Sequence, residues 1–216
     1  MLDNKQKTQL EKFKIFSRWM YGDCNGSLYK AGAQFLVAMA LFNYVETLGA
    51  FLIGYFQKDS NNQIKRCNCT NECSRCKDGQ LRTSSRERFD AFFCYLGQSY
   101  KELLDKQPEI YDELRCGLTH EFLPKNRKFS IAKAPEGFTE EQIDTIKVLN
   151  FKNEFTKELN CGVFFLSTWF IFVPKLARDF EIAVKKITTE VETGNDQRLI
   201  NNFFEAANNI NLENFE

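Results

Sequence analysis

Histidine is the side chain that exchanges protons near neutral pH without help from its surroundings, and this chain has one, His120. Arg115 stands five residues earlier, in the segment Arg115-Cys116-Gly117-Leu118-Thr119-His120. A guanidinium presents a planar fork of donors that matches two phosphate oxygens. An arginine and a histidine in one short segment are therefore candidates for a site that moves protons and binds an anion. Glu46 is the third candidate. It falls in an apolar seam, where a carboxylate must find a partner or line a polar interface. A salt bridge to Arg115 would orient the guanidinium; a hydrogen bond to Asn43, Thr47 or a tyrosine would satisfy the carboxylate equally.

Four of the eight cysteines fall within Asn61–Gly79, as Cys67-x-Cys69-x3-Cys73-x2-Cys76. Four thiolates at close range can hold Zn²⁺ tetrahedrally. The spacing is tighter than in paired knuckles, where a dozen or more residues separate two Cys-x2-Cys units. Such a zinc would staple the segment rather than do chemistry; redox-active or free thiols are the alternative. Cys69-x3-Cys73-x2-Cys76 also matches the iron–sulfur spacing of radical-SAM enzymes, a class excluded because it needs a βα barrel. Two basic clusters, Lys125/Arg127/Lys128 and Arg82/Arg86/Arg88, are candidates for RNA phosphate contacts or simply solvated faces.

These groups need a scaffold, and composition bounds it. A chain of 216 residues with 43% hydrophobic side chains and 22 Phe can bury a substantial core, which excludes wholesale disorder. Basic and acidic residues balance at 29 each, so a nucleic-acid site would be a local patch rather than a whole-chain field. Four Pro and eleven Gly among many Leu, Phe, Lys, Glu and Ala favour helices. The opening MLDNKQKTQLEKF lacks the apolar run of a signal peptide. The cysteines are thus expected to be thiols or metal ligands in a cytoplasmic protein, and Asn68-Cys69-Thr70 an accidental sequon. Leu36–Phe56 is long enough to span a membrane, but Asn43, Glu46 and Thr47 interrupt it. Val163–Val173 is about half the ~20 residues that spanning requires. Both read as buried core helices, with no membrane partner.

The expected order is a mainly α, up-and-down bundle forming a single domain over residues 1–216. A first helix covers Lys5–Trp19. A second runs from a Ser27 cap to Phe56 with a seam of Phe35, Met39, Phe42, Glu46, Gly49, Ile53 and Phe56. Lys58–Gln80 reads as a Cys-rich loop insertion without periodicity. Phe89, Phe93, Leu96, Tyr100 and Leu103 form the next stripe. Ile110, Leu114, Leu118 and Phe122 follow it, with Pro108 at the start and Pro124 at the end. Arg127–Ala134 alternates and Ile143–Phe151 is short and β-branched, so a β-hairpin is expected across 127–151. A long helical stripe from Phe155 to Ile187 is expected to kink at Pro174, and Gln197–Asn209 forms a short last helix. On an α-helix, residues step by roughly 100°, which turns His120 about 140° from the centre of the Ile110–Phe122 stripe and Arg115 about 80° to the other side. Both then face solvent, or a second copy of the helix across a dimer.

An arginine, four residues and a histidine late in an aromatic-rich helical chain, in the context LRCGLTHEFLP, resemble the HEPN family (higher eukaryotes and prokaryotes nucleotide-binding domains). The likeness covers Gly26–Leu123 best and Phe151–Ile187 loosely. It implies a helical bundle, a symmetric homodimer and an Arg-x4–6-His endoribonuclease that cuts RNA by 2′-OH attack without a catalytic metal. It also implies a toxin–antitoxin or antiphage defence setting, with an antitoxin or other protein as partner. The chain departs from the family at Cys116, where a polar residue commonly follows the arginine. Family members that bind without catalysis make a helical interaction protein the alternative.

Overall fold

The chain is mainly helical. The computed structural model describes residues 2–69, 73–121, 129–132, 149–151, 155–157, 161–165 and 169–214, some of them as backbone alone. The α-helices are α1 (Asn4–Asn25), α2 (Gln34–Ile53), α3 (Ser85–Tyr95), α4 (Gln98–Lys106), α5 (Val173–Thr193) and α6 (Gln197–Asn209). Two π-helical segments, Gly26–Lys30 and Tyr111–Glu121, join them. The strands are β1 (Cys76–Lys77), β2 (Gln80–Leu81), β3 (Phe129–Ala132), β4 (Leu149–Phe151), β5 (Phe155–Lys157), β6 (Val163–Phe165) and β7 (Trp169–Phe172). The chain divides into two compact units, one of residues 1–16, 45–92 and 186–216, the other of 17–44 and 93–185.

The first unit is built on a three-ring cluster. Phe13, Phe51 and Phe203 lie with centroids 4.9–5.1 Å apart in tilted and edge-on arrangements, which suit the aromatic quadrupole. Helix α6 supplies Phe203 because its buried residues Leu199, Ile200, Phe203, Phe204, Ala206 and Ala207 recur at three- and four-residue steps. Asp196 starts that helix by accepting hydrogen bonds from the Arg198 and Leu199 amides. A capping box starts α3, where Ser84 and Glu87 exchange side-chain bonds with each other's amides. Helices α2 and α3 touch at Gly49, where a Cβ would lie 1.8 Å from the Arg88 carbonyl oxygen.

In the second unit, β3, β7 and β6 form one sheet, with β3 parallel and β6 antiparallel to β7. Strands β4 and β5 pair separately as a small hairpin. The pairing expected across 127–151 is therefore replaced: β3 takes β7 as its neighbour and β4 takes β5. The long helix expected from Phe155 is also replaced, by strands β5, β6 and β7, and α5 begins only at Val173. Pro174 then sits in the first turn, where its missing N–H costs nothing and no kink follows. A buried polar latch holds this unit. The Tyr100 hydroxyl donates to Asp179 Oδ2 and accepts from the Gly162 amide, each at 2.7 Å, while Lys175 pairs with the other Asp179 oxygen. Burial, then the Asp179 charge, drives the Tyr100 hydroxyl well above its ordinary range.

Helix α2 bears out part of its expected seam: Phe42, Glu46 and Gly49 are buried, whereas Phe35, Met39 and Ile53 are only half-buried, and Val37, Ala38, Leu41, Val45, Leu48 and Phe51 are buried as well. The π-segment Gly26–Lys30 also separates Ser27 from the helix it was expected to cap. Helix α2 is long and apolar enough to cross a membrane, the one such helix among the described residues, and 56% of its apolar window is buried inside the protein.

Candidate functional site

The segment bearing the histidine motif is a π-helix eleven residues long, a geometry that mostly appears as single-turn bulges and often at functional sites. Ile110, Leu114 and Leu118 are fully buried, as the stripe requires. Glu113 and Gly117 are buried beside them, so the inner face is broader than the stripe. Tyr111, Asp112, Arg115 and Cys116 form the outer face.

The register changes the relation of the two motif residues. On an α-helix, five residues turn the chain by about 140° beyond a full turn. A π-helix bonds i to i+5, so five residues complete only a little more than one turn. Backbone position 120 therefore returns over position 115 on the outer face. The side chain of His120 lies outside the described part of the structure, as do residues Lys125, Arg127 and Lys128. Arg115 is half-buried, with its guanidinium carbon 5.9 Å from the Tyr111 ring centroid, a cation–π contact that leans it one turn toward the helix start. The Tyr111–Arg115 spacing was visible in the sequence; the stacking partner was not read from it.

The Glu46 carboxylate pairs with Arg88 at 3.4 Å in the first unit, with both side chains largely buried. Arg88 and Arg82 also stack over Tyr55, at 5.8 and 6.0 Å, and Arg86 pairs loosely with Asp90. Arg82 and Arg88 are thus engaged within the protein, while Arg86 is exposed.

The cysteine segment is more ordered than a loop. The amide of Lys65 donates to the Gln57 carbonyl, Leu81 to Lys65, Gln57 to Leu81, and Cys67 to Gly79. Bridges pair Phe56 with Arg82, Lys58 with Ile64 and Arg66 with Gln80. The β1–β2 turn is Asp78-Gly79, both at positive φ, the conformation that type I′ hairpins demand and that Asp-Gly supplies. This ladder brings all four thiols together. Their sulfurs lie within 4.8 Å of one another. Cys67–Cys73, Cys69–Cys76 and Cys73–Cys76 stand at 3.7, 3.4 and 3.6 Å. Four sulfurs about 2.3 Å from a tetrahedral zinc lie about 3.8 Å apart, so the cluster is sized to hold a metal ion. The Arg75 backbone N–H, then the Cys76 thiol, hold Cys73 down at about 7. The Cys67 and Cys76 thiols push Cys69 up to about 12. One thiol of the set is thus readily a thiolate, the form that binds metal.

A clasp roots this hairpin on α6. Glu205 Oε1 accepts the Tyr55 and Phe56 amides at 2.7 and 2.9 Å, and Oε2 pairs with Lys58 Nζ at 2.8 Å. Asn202 accepts from the same Lys58 and donates to the Leu52 carbonyl. Nothing in local sequence marked these residues, since about 150 positions separate the partners. No family model, no curated protein and no solved structure matches the chain.

Proposed function

We propose that the protein is a HEPN-type endoribonuclease that works as a homodimer and needs no metal for catalysis, with Arg115 and His120 acting on one phosphodiester. The observation that carries this reading is the π-helical register, which returns position 120 over position 115. On an α-helix the two positions would stand about 140° apart around the axis. In the proposed step His120 takes the proton from the ribose 2′-OH, and the 2′-oxygen attacks phosphorus. The P–O5′ bond breaks, and the proton is passed to the departing 5′-oxygen. The products are a 2′,3′-cyclic phosphate and a 5′-hydroxyl. Arg115 stabilises the charge that builds on the non-bridging oxygens, and its stack on Tyr111 limits the ways it can point. Lys125, Arg127 and Lys128 follow in the chain as the cations proposed to hold the strand. Glu46, paired with Arg88, is better suited to joining α2 and α3 than to catalysis.

The cysteine cluster is proposed to hold one Zn²⁺ that fixes the hairpin and takes no part in cleavage. Metal-ligating thiols suit a reducing compartment such as the cytoplasm. A toxin–antitoxin or defence role, with a protein antitoxin, rests on the family likeness alone. Single-stranded RNA incubated with purified protein in EDTA, without added metal, tests the proposal. It should yield fragments ending in cyclic phosphate; intact RNA contradicts the reading. Cys116, half-buried beside Arg115, supports a second reading. A thiol is a weak hydrogen-bonding group, and a chain that binds RNA without cutting it would fit that residue.

A further inference from the structure

Of the eight cysteines, Cys69 alone is exposed; within its cluster Cys67 and Cys73 are half-buried and Cys76 is buried. The four clustered thiols divide into two pairs already in contact, Cys69 with Cys76 at 3.4 Å and Cys67 with Cys73 at 3.7 Å. The members of the first pair are held differently. Cys76 sits in β1 opposite Leu81. Its amide donates to the Cys73 carbonyl at 3.0 Å, and its sulfur accepts from the Cys73 amide at 3.4 Å. Cys69 lies two residues beyond the rung that runs from the Cys67 amide to the Gly79 carbonyl, and is open to solvent. A reachable sulfur thus rests against a fixed and shielded one. That is the arrangement in which an oxidised thiol is captured by a resolving thiol.

Access decides which of the four reacts first. A thiol that ligates a metal is deprotonated outright, and the thiolate is the nucleophilic form, so an oxidant arriving from water meets a reactive Cys69 before the others. Disulfides and a bound metal also exclude each other. A disulfide draws its two sulfurs to about 2.05 Å, whereas the ligands of one tetrahedral zinc stand about 3.8 Å apart. Closing both pairs from their present contacts moves sulfurs together by only about 1.5 Å, and it consumes every ligand.

We propose that Cys69 is a modification site for hydroperoxides, with Cys76 as its resolving thiol, and that its oxidation dismantles the metal site. The proposal rests on the zinc reading of the cluster and is independent of the nuclease reading. With hydrogen peroxide, the Cys69 thiolate attacks one oxygen, the O–O bond breaks, hydroxide leaves and a sulfenic acid forms. The Cys76 thiolate then attacks that sulfur, the S–S bond forms and a second hydroxide departs. Cys67 and Cys73 close in the same way with a second peroxide. Four thiolates lose four electrons, the two peroxides gain them as four hydroxides, and no ligand is left for Zn²⁺. A dithiol reductant restores the four thiols and with them the site. The base of the hairpin keeps its place throughout, because Glu205 clasps the Tyr55 and Phe56 amides without any thiol.

The test uses the full, unsubstituted chain as purified. Hydrogen peroxide is added, released zinc is followed with a chromogenic chelator, and dimedone, which traps sulfenic acids, is added at early times before peptide mass mapping. Dimedone should be found on Cys69, and without dimedone the Cys69–Cys76 disulfide should form ahead of Cys67–Cys73. Zinc should be lost in step with the disulfides and bind again after dithiothreitol and its removal, while the Tyr55 and Phe56 amides keep their hydrogen-exchange protection. Early oxidation at Cys73 and Cys76 that leaves Cys69 a free thiol overturns the proposal, and so does zinc binding that reduction does not restore. The two readings fail separately. An untreated chain that carries no zinc removes the zinc reading and the proposal with it. A chain that carries zinc and keeps it in excess peroxide, with all four thiols intact, removes the proposal alone.

Discussion

Gly49→Ala ought to destabilise this protein, although the same change in most helices does the opposite. In a helix interior alanine is favoured over glycine by roughly 0.5–1 kcal/mol. Here the added Cβ would fall 1.8 Å from the Arg88 carbonyl oxygen and 2.4 Å from its carbon, against an ordinary contact of 3.4 Å or more. Helices α2 and α3 would have to part by about 1.6 Å at this point. The obstacle is backbone, so no side chain can swing aside. Overpacking of this kind costs about 1–3 kcal/mol, and the upper part of that range applies to a backbone clash. Separation also stretches the Glu46–Arg88 pair, which joins the same two helices. Set against the helix gain, the net loss is about 2 kcal/mol. For a chain of this size that lowers the melting temperature by about 4–8 °C, readable by circular dichroism at 222 nm or by calorimetry. A variant that melts at or above the parent temperature would refute the close approach of α2 and α3.

Protein purified without added metal should carry close to one Zn²⁺ per chain, and Cys76→Ser should lose it along with the exchange protection of the Cys67 and Leu81 amides; a folded, metal-free parent with four reactive thiols would contradict this. Glu205→Gln removes the ion pair to Lys58 and weakens two charge-assisted bonds from the Tyr55 and Phe56 amides, so the urea midpoint should drop by the equivalent of about 1.5–3 kcal/mol; an unmoved midpoint would show that the clasp contributes nothing. Stability should fall as pH rises above 9, because burial pushes the Cys24 thiol from 9.0 up to about 12. The unfolded thiol ionises in that window while the folded one keeps its proton, so the unfolded state is favoured. Tyr100, raised by burial, adds to the loss above pH 10 in the same direction. Cys24→Ala should flatten the first part of the alkaline decline, and an equally steep decline would remove Cys24 as its source.

The sequence made helices legible where one face is apolar and the other polar. Ile110, Leu114 and Leu118 are buried as their spacing requires, and α6 follows its pattern. On α2, where apolar residues occur all round, periodicity carries little phase information, and the expected seam caught Phe42, Glu46 and Gly49 but missed the buried Val37, Leu41, Val45 and Leu48. Between Phe155 and Phe172 the aromatic residues happened to recur at helical steps, yet the described residues form strands; β5 and β6 pair with near neighbours, while β7 also takes β3, some forty residues away. Local patterns hold no record of such partners. Pro174 was ambiguous for the same reason: one residue type marks both a kink and a first turn, and only the strands before it decide. The cysteine ladder escaped notice because its order comes from backbone pairing and a type I′ turn, while its side chains are polar on both faces. Arg115 and His120 were proposed by residue type; the π-helical register of their segment was not legible, because a π-helix leaves no mark in hydrophobic spacing.

The central claim is that His120 moves the proton when RNA is cut, and the rate of RNA cleavage by His120→Ala, beside the parent chain, measures it most directly. Histidine is the side chain that titrates near neutrality unaided, and the chain holds no second one. The variant should melt with the parent and cut nothing, and Arg115→Ala should be equally inactive. Arg115→Lys should recover little, since a point charge lacks the planar fork that grips phosphate. Cys116→Asn should raise activity if the thiol only weakens the site. Cleavage by His120→Ala at the full parental rate would contradict the account and put the non-catalytic binding protein in its place.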